Sequence, residues 1–396
     1  MNESGQAVAG WRSLTDALGR ALVPLDGEEL CANARRRTGL CDFGDPPLEP
    51  ALSELFDSLG RDAELHPVGR FLMRSHLQGL LETRLRLVEA WKGQSCAPIR
   101  RPVFITGMPR SGSTFLHELL AEDPDNRAPR VWEVMFPLAE GSPRWRSYKT
   151  DACLWWFRRL APGADLVHPM RAWTPHECVA IQSYTLLSEE FVSTCRVPAY
   201  EAFLHAADLT PAYLWERRFL QHLQSGSPPR RWVLKSPDHV FGLEQLFAVF
   251  PDAYVIQTHR NPLEVLRSLA ELNKVVRGAF VWPEERASSE ARDARGLAGC
   301  MERFVQFRDA HPELAGRFID VHYGDLVSYP VETVQRAYAQ LGCPLSELAA
   351  RRMRQLAANR SPYRGQLAAL GSIRGSVLAA EAPRFERYCS RFSVPC

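Results

Sequence analysis

A doubly wound α/β fold on a parallel sheet is what this sequence predicts, and three observations carry the prediction. Short apolar runs recur along the chain: "VFIT", "RWVLKS", "AYVIQTHR" and "GRFIDVHYGDL". Each is followed by a stretch with apolar residues at i, i+3, i+4 and i+7, the period of an amphipathic helix. The runs are continuously apolar rather than alternating, as expected of parallel strands covered on both faces.

Taken in order, residues 1–99 form a helical N-terminal extension. "SLTDALGRALVP", "PALSELFDSLGRDA" and "GRFLMRSHLQGLLETRLRLVEAWKG" carry the helical period, and "GLCDFGDPPLEP" is a glycine/proline break between two of them. An α/β domain follows over 100–396. Its first strand, "VFIT", runs into a glycine-rich turn and a helix from Ser113. An insert over about 131–230 mixes helix and loop and holds six of the ten tryptophans. These either pack the inserted helices or line an apolar acceptor pocket. "RWVLKS" leads into the helix "HVFGLEQLFAVFP". "AYVIQTHR" leads into "NPLEVLRSLAELNKVVR", where Asn261 caps and Pro262 takes the first helical position. "GRFIDVHYGDL" precedes the helix "PVETVQRAYAQLG".

Composition excludes several classes of function. The chain of 396 residues is 45% hydrophobic and 24% charged, ordinary for a soluble protein. Its net charge of +2 gives no footprint for nucleic acid. Only Lys92, Lys149, Lys235 and Lys274 are lysines among 48 basic residues, so a lysine inside a motif is conspicuous. The ten cysteines show no C-x-x-C pair and no zinc-ligand spacing, which predicts reduced thiols, no metal and a cytoplasmic enzyme. The N-terminus lacks the basic and apolar regions of a cleaved signal, and no run approaches the ~20 apolar residues that span a bilayer. Nothing in the sequence speaks to oligomeric state.

The chemistry gathers at the strand ends, where doubly wound sheets bind ligands. Gly107-x4-Gly112 has the spacing of a nucleotide-binding P-loop, but Ser113 stands where that motif has lysine. The turn is therefore P-loop-like: amides converging on a helix N-terminus hold an anion, with Arg110, Ser111, Ser113 and Thr114 as further donors. Without the lysine, and without an acidic strand to hold magnesium, kinase chemistry has little support. "VLKSPDH" puts the scarce Lys235 at a strand end, suited to a leaving oxyanion. "THRNPLEVLRS" puts Arg260 and Ser268 where they can pinch a second phosphate.

"PRSGSTFLHELL", "VLKSP" and "THRNPLEVLRSL", in this order, resemble the sulfotransferases that use 3′-phosphoadenosine 5′-phosphosulfate (PAPS). The resemblance is nearest to the bacterial group related to tyrosylprotein sulfotransferases, and "RRRTGLCDFGD" and "LHPVGRFLMR" extend it into the N-terminal extension. It implies that Arg110, Ser111, Gly112, Ser113 and Thr114 cradle the 5′-phosphosulfate. Arg260 and Ser268 would hold the 3′-phosphate, and Lys235 would stabilise the bridging oxygen as the sulfuryl group leaves. Tyr323 would lie near the nucleotide, Arg360 and Tyr363 would close the nucleotide site, the product would be 3′,5′-ADP, and no metal would be required.

A hydroxyl acceptor needs a base. The resemblance puts Glu133, about twenty residues after the loop, in that role. His168 and His176 are the rivals, with His117 weaker because it lies within the loop helix. Trp132, His168, His176 and Glu177 are expected on the acceptor side. Met135 replaces the arginine that the tyrosylprotein enzymes use on acidic peptides, so the implied acceptor is a small molecule: a natural product, lipid or glycoside. The competing readings are a small-molecule kinase with a degenerate P-loop and a non-catalytic nucleotide-binding protein.

Overall fold

The computed structural model describes residues 15–94, 96–138, 141–160, 169–225, 228–283, 286–359 and 380–395. His168, Arg360 and Tyr363 lie outside them. Five parallel strands form the central sheet: β1 (Val103–Gly107), β2 (Asn126–Arg127), β3 (Arg231–Lys235), β4 (Tyr254–His259) and β5 (Phe318–His322), in the order β2-β3-β1-β4-β5. The register aligns Ile105 with Lys235, Gly107 with Thr258, and His259 with His322. Every functional strand end therefore opens on the same edge. The two-residue β2 was not legible in the sequence, because it is too short to make an apolar run.

The N-terminal helices are α1 (Gly27–Thr38), α2 (Ala51–Arg61) and α3 (Pro67–Trp91). Helix α4 (Ser113–Ala121) follows β1. The insert contributes α5 (Val131–Met135), α6 (Pro143–Leu160), α7 (Cys178–Gln182), α8 (Glu190–Thr194), α9 (Pro198–Ala206) and α10 (Thr210–Leu223). After β3 comes α11 (Leu243–Val249). After β4 come α12 (Pro262–Gly278) and the 25-residue α13 (Arg286–Ala310). The chain then adds α14 (Tyr323–Ser328), α15 (Pro330–Gln340), α16 (Glu347–Asn359) and α17 (Glu386–Phe392).

The two-residue period of a strand assigns the faces of the sheet. Val103 and Ile105 of β1 pack with Leu116 and Leu120 of α4, Tyr338 of α15 and Met353 of α16. Phe104 points the other way, into Trp232, Leu246 of α11 and Phe304 of α13. The third core joins the N-terminal helices to the insert: Leu55, Leu77 and Leu85 pack with Phe191, Tyr200, Trp215 and Phe219. The extension and the insert thus share one helical layer. Among the described residues eight cysteines are free thiols, whereas Cys389 is disulfide-bonded, a departure from the expectation of reduced thiols throughout.

Arg84 pins this layer. It is completely buried, donates from Nε to Phe43 O at 2.8 Å and from Nη1 to Tyr184 O at 2.8 Å, and also reaches the carbonyls of Gly44 and Pro46. Its guanidinium lies 4.6 Å from the Trp215 ring. Burial pulls its pKa down to about 10, so it remains charged at neutral pH. Replacing it with an apolar chain removes the donors to four carbonyls, one of them, Tyr184 O, fully buried. Arg84→Met is therefore expected to cost at least about 3 kcal/mol, seen as a lower urea midpoint. A loss under about 1 kcal/mol would mean that the loop 43–46 is held by something else.

Candidate active site

The glycine turn between β1 and α4 is shaped by backbone that only glycine supplies cheaply. Gly107 has φ 128° and Gly112 φ 95°. A Cβ on Gly107 would lie 2.5 Å from the Thr258 carbonyl oxygen, and one on Gly112 would lie 3.0 Å from the Tyr323 ring. Arg110 also takes a left-handed conformation, φ 66°, which turns its side chain toward α12. There its Nε donates to Ser268 Oγ at 2.8 Å. Arg260, just past β4, donates to the Arg110 carbonyl at 2.9 Å, and its guanidinium lies 4.1 Å from the Tyr323 ring centre. Glu264 accepts from Arg260 at 3.1 Å. Arg110, Arg260, Ser268 and Tyr323, distant in sequence, are thus one cluster beside the helix N-terminus.

The members of the loop do different work. Ser111 is fully buried, and its hydroxyl bonds the Met108 carbonyl and lies 2.6 Å from Thr258 Oγ1. That side chain braces the loop and does not face the cavity. Pro109, Arg110, Gly112, Ser113 and Thr114 do line it. His117 is buried with Nε2 3.1 Å from Val233 O, and burial with the Lys235 charge holds its pKa down at about 3. It is a neutral packing residue.

Lys235 closes β3, with a side chain only 3% exposed, and its Nζ contacts Glu177 Oε1. Glu177 takes the N-cap position of α7, and one strand-like crossing fixes its approach. Arg130 and Pro175 form an antiparallel bridge, and His176 N–H donates to Pro129 O at 2.7 Å. Asp238 lies on the same wall and accepts from Ser236 Oγ at 2.9 Å. Burial, then the nearby charges of Glu189 and Glu177, push its carboxyl up to about 7. The half-buried His176 also lines the cavity, held neutral by burial.

Glu133 is placed differently from the sequence expectation. Its Oε2 accepts from Arg130 N at 2.9 Å in a capping box, and its Oε1 accepts from Arg127 Nη2 at 2.8 Å. It does not line the cavity. Its physical work is to start α5 and steady Arg130, whose Nη1 holds Trp173 O at 2.7 Å. The same segment carries Glu177. Trp132 is likewise turned away: it is buried 4.5 Å from the Arg146 guanidinium and 5.4 Å from Trp173. Of the insert's six tryptophans only Trp156 lines the cavity.

The cavity has a volume of about 1440 Å³ and runs from the loop past Lys235 and Glu177 into the helical layer. Its far walls are mostly aliphatic and phenylalanine side chains, such as Leu72 and Leu80 of α3, Phe157 of α6, Phe191 of α8, and Leu272 and Val276 of α12, with His76, Glu82, Arg86 and Glu190 among them. That α3 and α12 share a wall was not legible in the sequence, because both read as ordinary core helices. Asp238 was also missed, although it stands three residues from Lys235 in the quoted "VLKSPDH".

Behind the wall, Glu216 is wholly buried with Gln182 Nε2 3.0 Å from its Oε2, near Cys178. Burial pushes its pKa up to about 7, against the opposing hydrogen bonds of Cys178 and Gln182. The native protein then holds a proton that the unfolded chain, at 4.5, has released. Stability is therefore full below the unfolded value and falls as pH rises through 7. Glu216→Gln removes this dependence. Urea unfolding at pH 5 and pH 8 is expected to find the variant gaining roughly 3 kcal/mol on the wild type across the interval. Parallel pH profiles would place the proton elsewhere.

Comparison with known proteins agrees with this geometry. Residues 102–347 match the profile of the Sulfotransferase family. The omega-hydroxy-beta-dihydromenaquinone-9 sulfotransferase Stf3 of Mycobacterium bovis is 27% identical over 273 residues, covering 66% of this chain and 68% of that protein. Its Mycobacterium tuberculosis counterpart matches to the same extent. The crystal structure of sulfotransferase STF1 from M. tuberculosis H37Rv superposes with a TM-score of 0.76 at 32% identity, over 90% of this chain and 97% of that one. That of STF9 from Mycobacterium avium gives 0.78 at 24% identity, over 94% and 97%, and shares the fold. With the loop, the buried lysine and the arginine–serine cluster in place, and most of its length matched, the chain belongs to the sulfotransferase family.

Proposed function

We propose that this sulfotransferase moves a sulfuryl group from PAPS to the hydroxyl of an apolar small molecule. The observation that carries the reading is the meeting of Lys235 and Glu177 in one cavity with the glycine loop. PAPS, when bound, supplies an electrophilic sulfur and a 3′-phosphate that distinguishes it from ATP. The residues present fit such a group. The loop amides and the positive end of α4 suit a 5′-phosphosulfate, and Gly112 lets the loop pack closely against Tyr323 and Leu326. Arg110, Ser268 and Arg260 offer forked and hydroxyl donors for the 3′-phosphate. Ser113 in place of a P-loop lysine disfavours a triphosphate.

Lys235 is proposed to neutralise the charge that grows on the leaving oxygen. A cation already buried and oriented does this with little reorganisation. Glu177, rather than Glu133, is proposed as the base that takes the acceptor's proton. It is the carboxylate that contacts Lys235 in the cavity, whereas both oxygens of Glu133 are committed. Asp238 is the second carboxyl within reach of the site. The aliphatic walls favour a lipid-like acceptor over a glycoside. The relatives named for an omega-hydroxylated menaquinone derivative support the same class.

Thermal stabilisation by 3′,5′-ADP, independent of magnesium and absent with 5′-AMP, is the expected first result. Stabilisation by ATP with magnesium alone would overturn the donor assignment in favour of a kinase. With a hydroxyl acceptor in hand, Lys235→Ala is expected to lower kcat by roughly 100-fold or more and Glu177→Gln by a similar factor, with 3′,5′-ADP binding retained. Glu133→Gln is expected to retain turnover while lowering stability by about 1 kcal/mol through its cap. The opposite pattern would return the base to Glu133, and loss confined to Asp238→Asn would move it there.

A further inference from the structure

Helix α6 turns two unlike faces to its surroundings. Leu154 is buried, and Phe157 lines the cavity and packs near Ala279 and Phe280. The opposite face carries Arg144, Tyr148, Trp155 and Arg159, with Trp145 and Trp156 at its edge. These aromatic side chains are open to solvent: Trp145 is 54% exposed, Tyr148 66%, Trp155 46% and Trp156 64%. Large aromatics are the side chains a water-facing helix has least reason to display, and here they recur along one stripe.

The helix is also strongly basic. Five of the helix's 18 residues are basic (Arg144, Arg146, Lys149, Arg158 and Arg159) and only Asp151 is acidic. One helix therefore carries more positive charge than the net +2 of the whole chain. Arg146 and Lys149 turn inward over Trp132 and Phe136, while Arg144 and Arg159 remain on the outer face. Aromatic rings with long cationic side chains on one helical face match the boundary between acyl chains and anionic headgroups. A second copy of the chain fits this face less well, because a two-fold contact would bring its arginines against themselves.

The face is also continuous with the cavity. Trp156, Phe157 and Leu160 of α6 line it, as does Leu72 of α3, and Leu72's neighbour Phe71 is 59% exposed. We propose that the outer face of α6 docks on an anionic lipid bilayer, which brings the apolar mouth of the cavity against the lipid phase. No helix among the described residues is long and apolar enough to cross a membrane, so the contact is with the surface. The inference goes beyond sulfuryl transfer and is read without turnover.

The test is co-sedimentation of the full chain with vesicles of phosphatidylcholine alone or with about 30 mol % phosphatidylglycerol. Partitioning onto the anionic vesicles is expected to exceed that onto neutral ones by at least about tenfold and to fall as salt is raised. Trp145→Ser/Tyr148→Ser/Trp155→Ser and, separately, Arg144→Glu/Arg159→Glu are each expected to lose about tenfold or more of that binding. Both variants should keep the wild-type melting temperature and its shift with 3′,5′-ADP. Absence of binding to anionic vesicles, or binding that neither variant weakens, would overturn the proposal. So would a dimer in light scattering that the variants dissolve, since the face would then belong to a second copy. If the 3′,5′-ADP shift is missing while vesicle binding behaves as expected, the donor assignment fails and the docking face stands.

Discussion

A lysine buried at the end of a central strand is the constraint around which this molecule is arranged. Removing an ammonium from water costs several kcal/mol unless an opposite charge is held close by. Lys235, 3% exposed, has Glu177 for that purpose. The pair obliges the insert to return to the sheet edge, because Glu177 lies nearly sixty residues before Lys235 and takes the N-cap position of a helix of its own. The crossings between 129–132 and 172–176, the capping box at Glu133 and the buried Glu216–Gln182 contact all serve to hold that return. Such support is typical of sites whose groups must be held within fractions of an ångström.

The same return creates the cavity. Once the insert is fixed over the strand ends, its helices must cover apolar surface, and the N-terminal helices complete the layer through the core pinned by Arg84. Where α3, α6 and α12 do not meet tightly, an apolar volume is left that opens on the lysine–carboxylate pair. In the function proposed above, anion recognition and apolar recognition are thereby assigned to different parts of the architecture. The sheet edge and its loop supply charge, and the helical layer supplies shape. In the dry interior of such a site a charged pair acts with less screening than it would in water.

How much of this was legible depended on the range of the interactions. The strand–helix alternation, the glycine loop and the positions of Arg110, Lys235, Arg260 and Ser268 are local signals, set by periodicity or by residues within one turn. The gathering of Arg110 with Ser268, 158 positions apart, follows from the strand register once the sheet is parallel. Glu133 was a natural candidate for the base from its position alone. Its neighbours in space, Arg127 and the Arg130 amide, engage both of its oxygens, and no pattern in the sequence announces that. Trp132, expected on the acceptor side, turned away for a similar reason: composition placed the tryptophans in the insert but not on an inner or outer face.

By itself the sequence determined the class of fold, the strand ends at which the candidate site residues gather, and the glycine-turned backbone of the loop. Those properties reside in backbone conformation and in the hydrophobic period, which neighbouring residues decide among themselves. Only the tertiary structure decided which carboxylate faces Lys235, that the cavity is walled by α3 and α12 as well as by the insert, and that Trp145, Tyr148 and Trp155 of α6 point outward. Each of these depends on how two helices are rotated against a third. Rotation about a helix axis is settled by packing of the whole layer, where a turn of one residue exchanges a buried side chain for an exposed one.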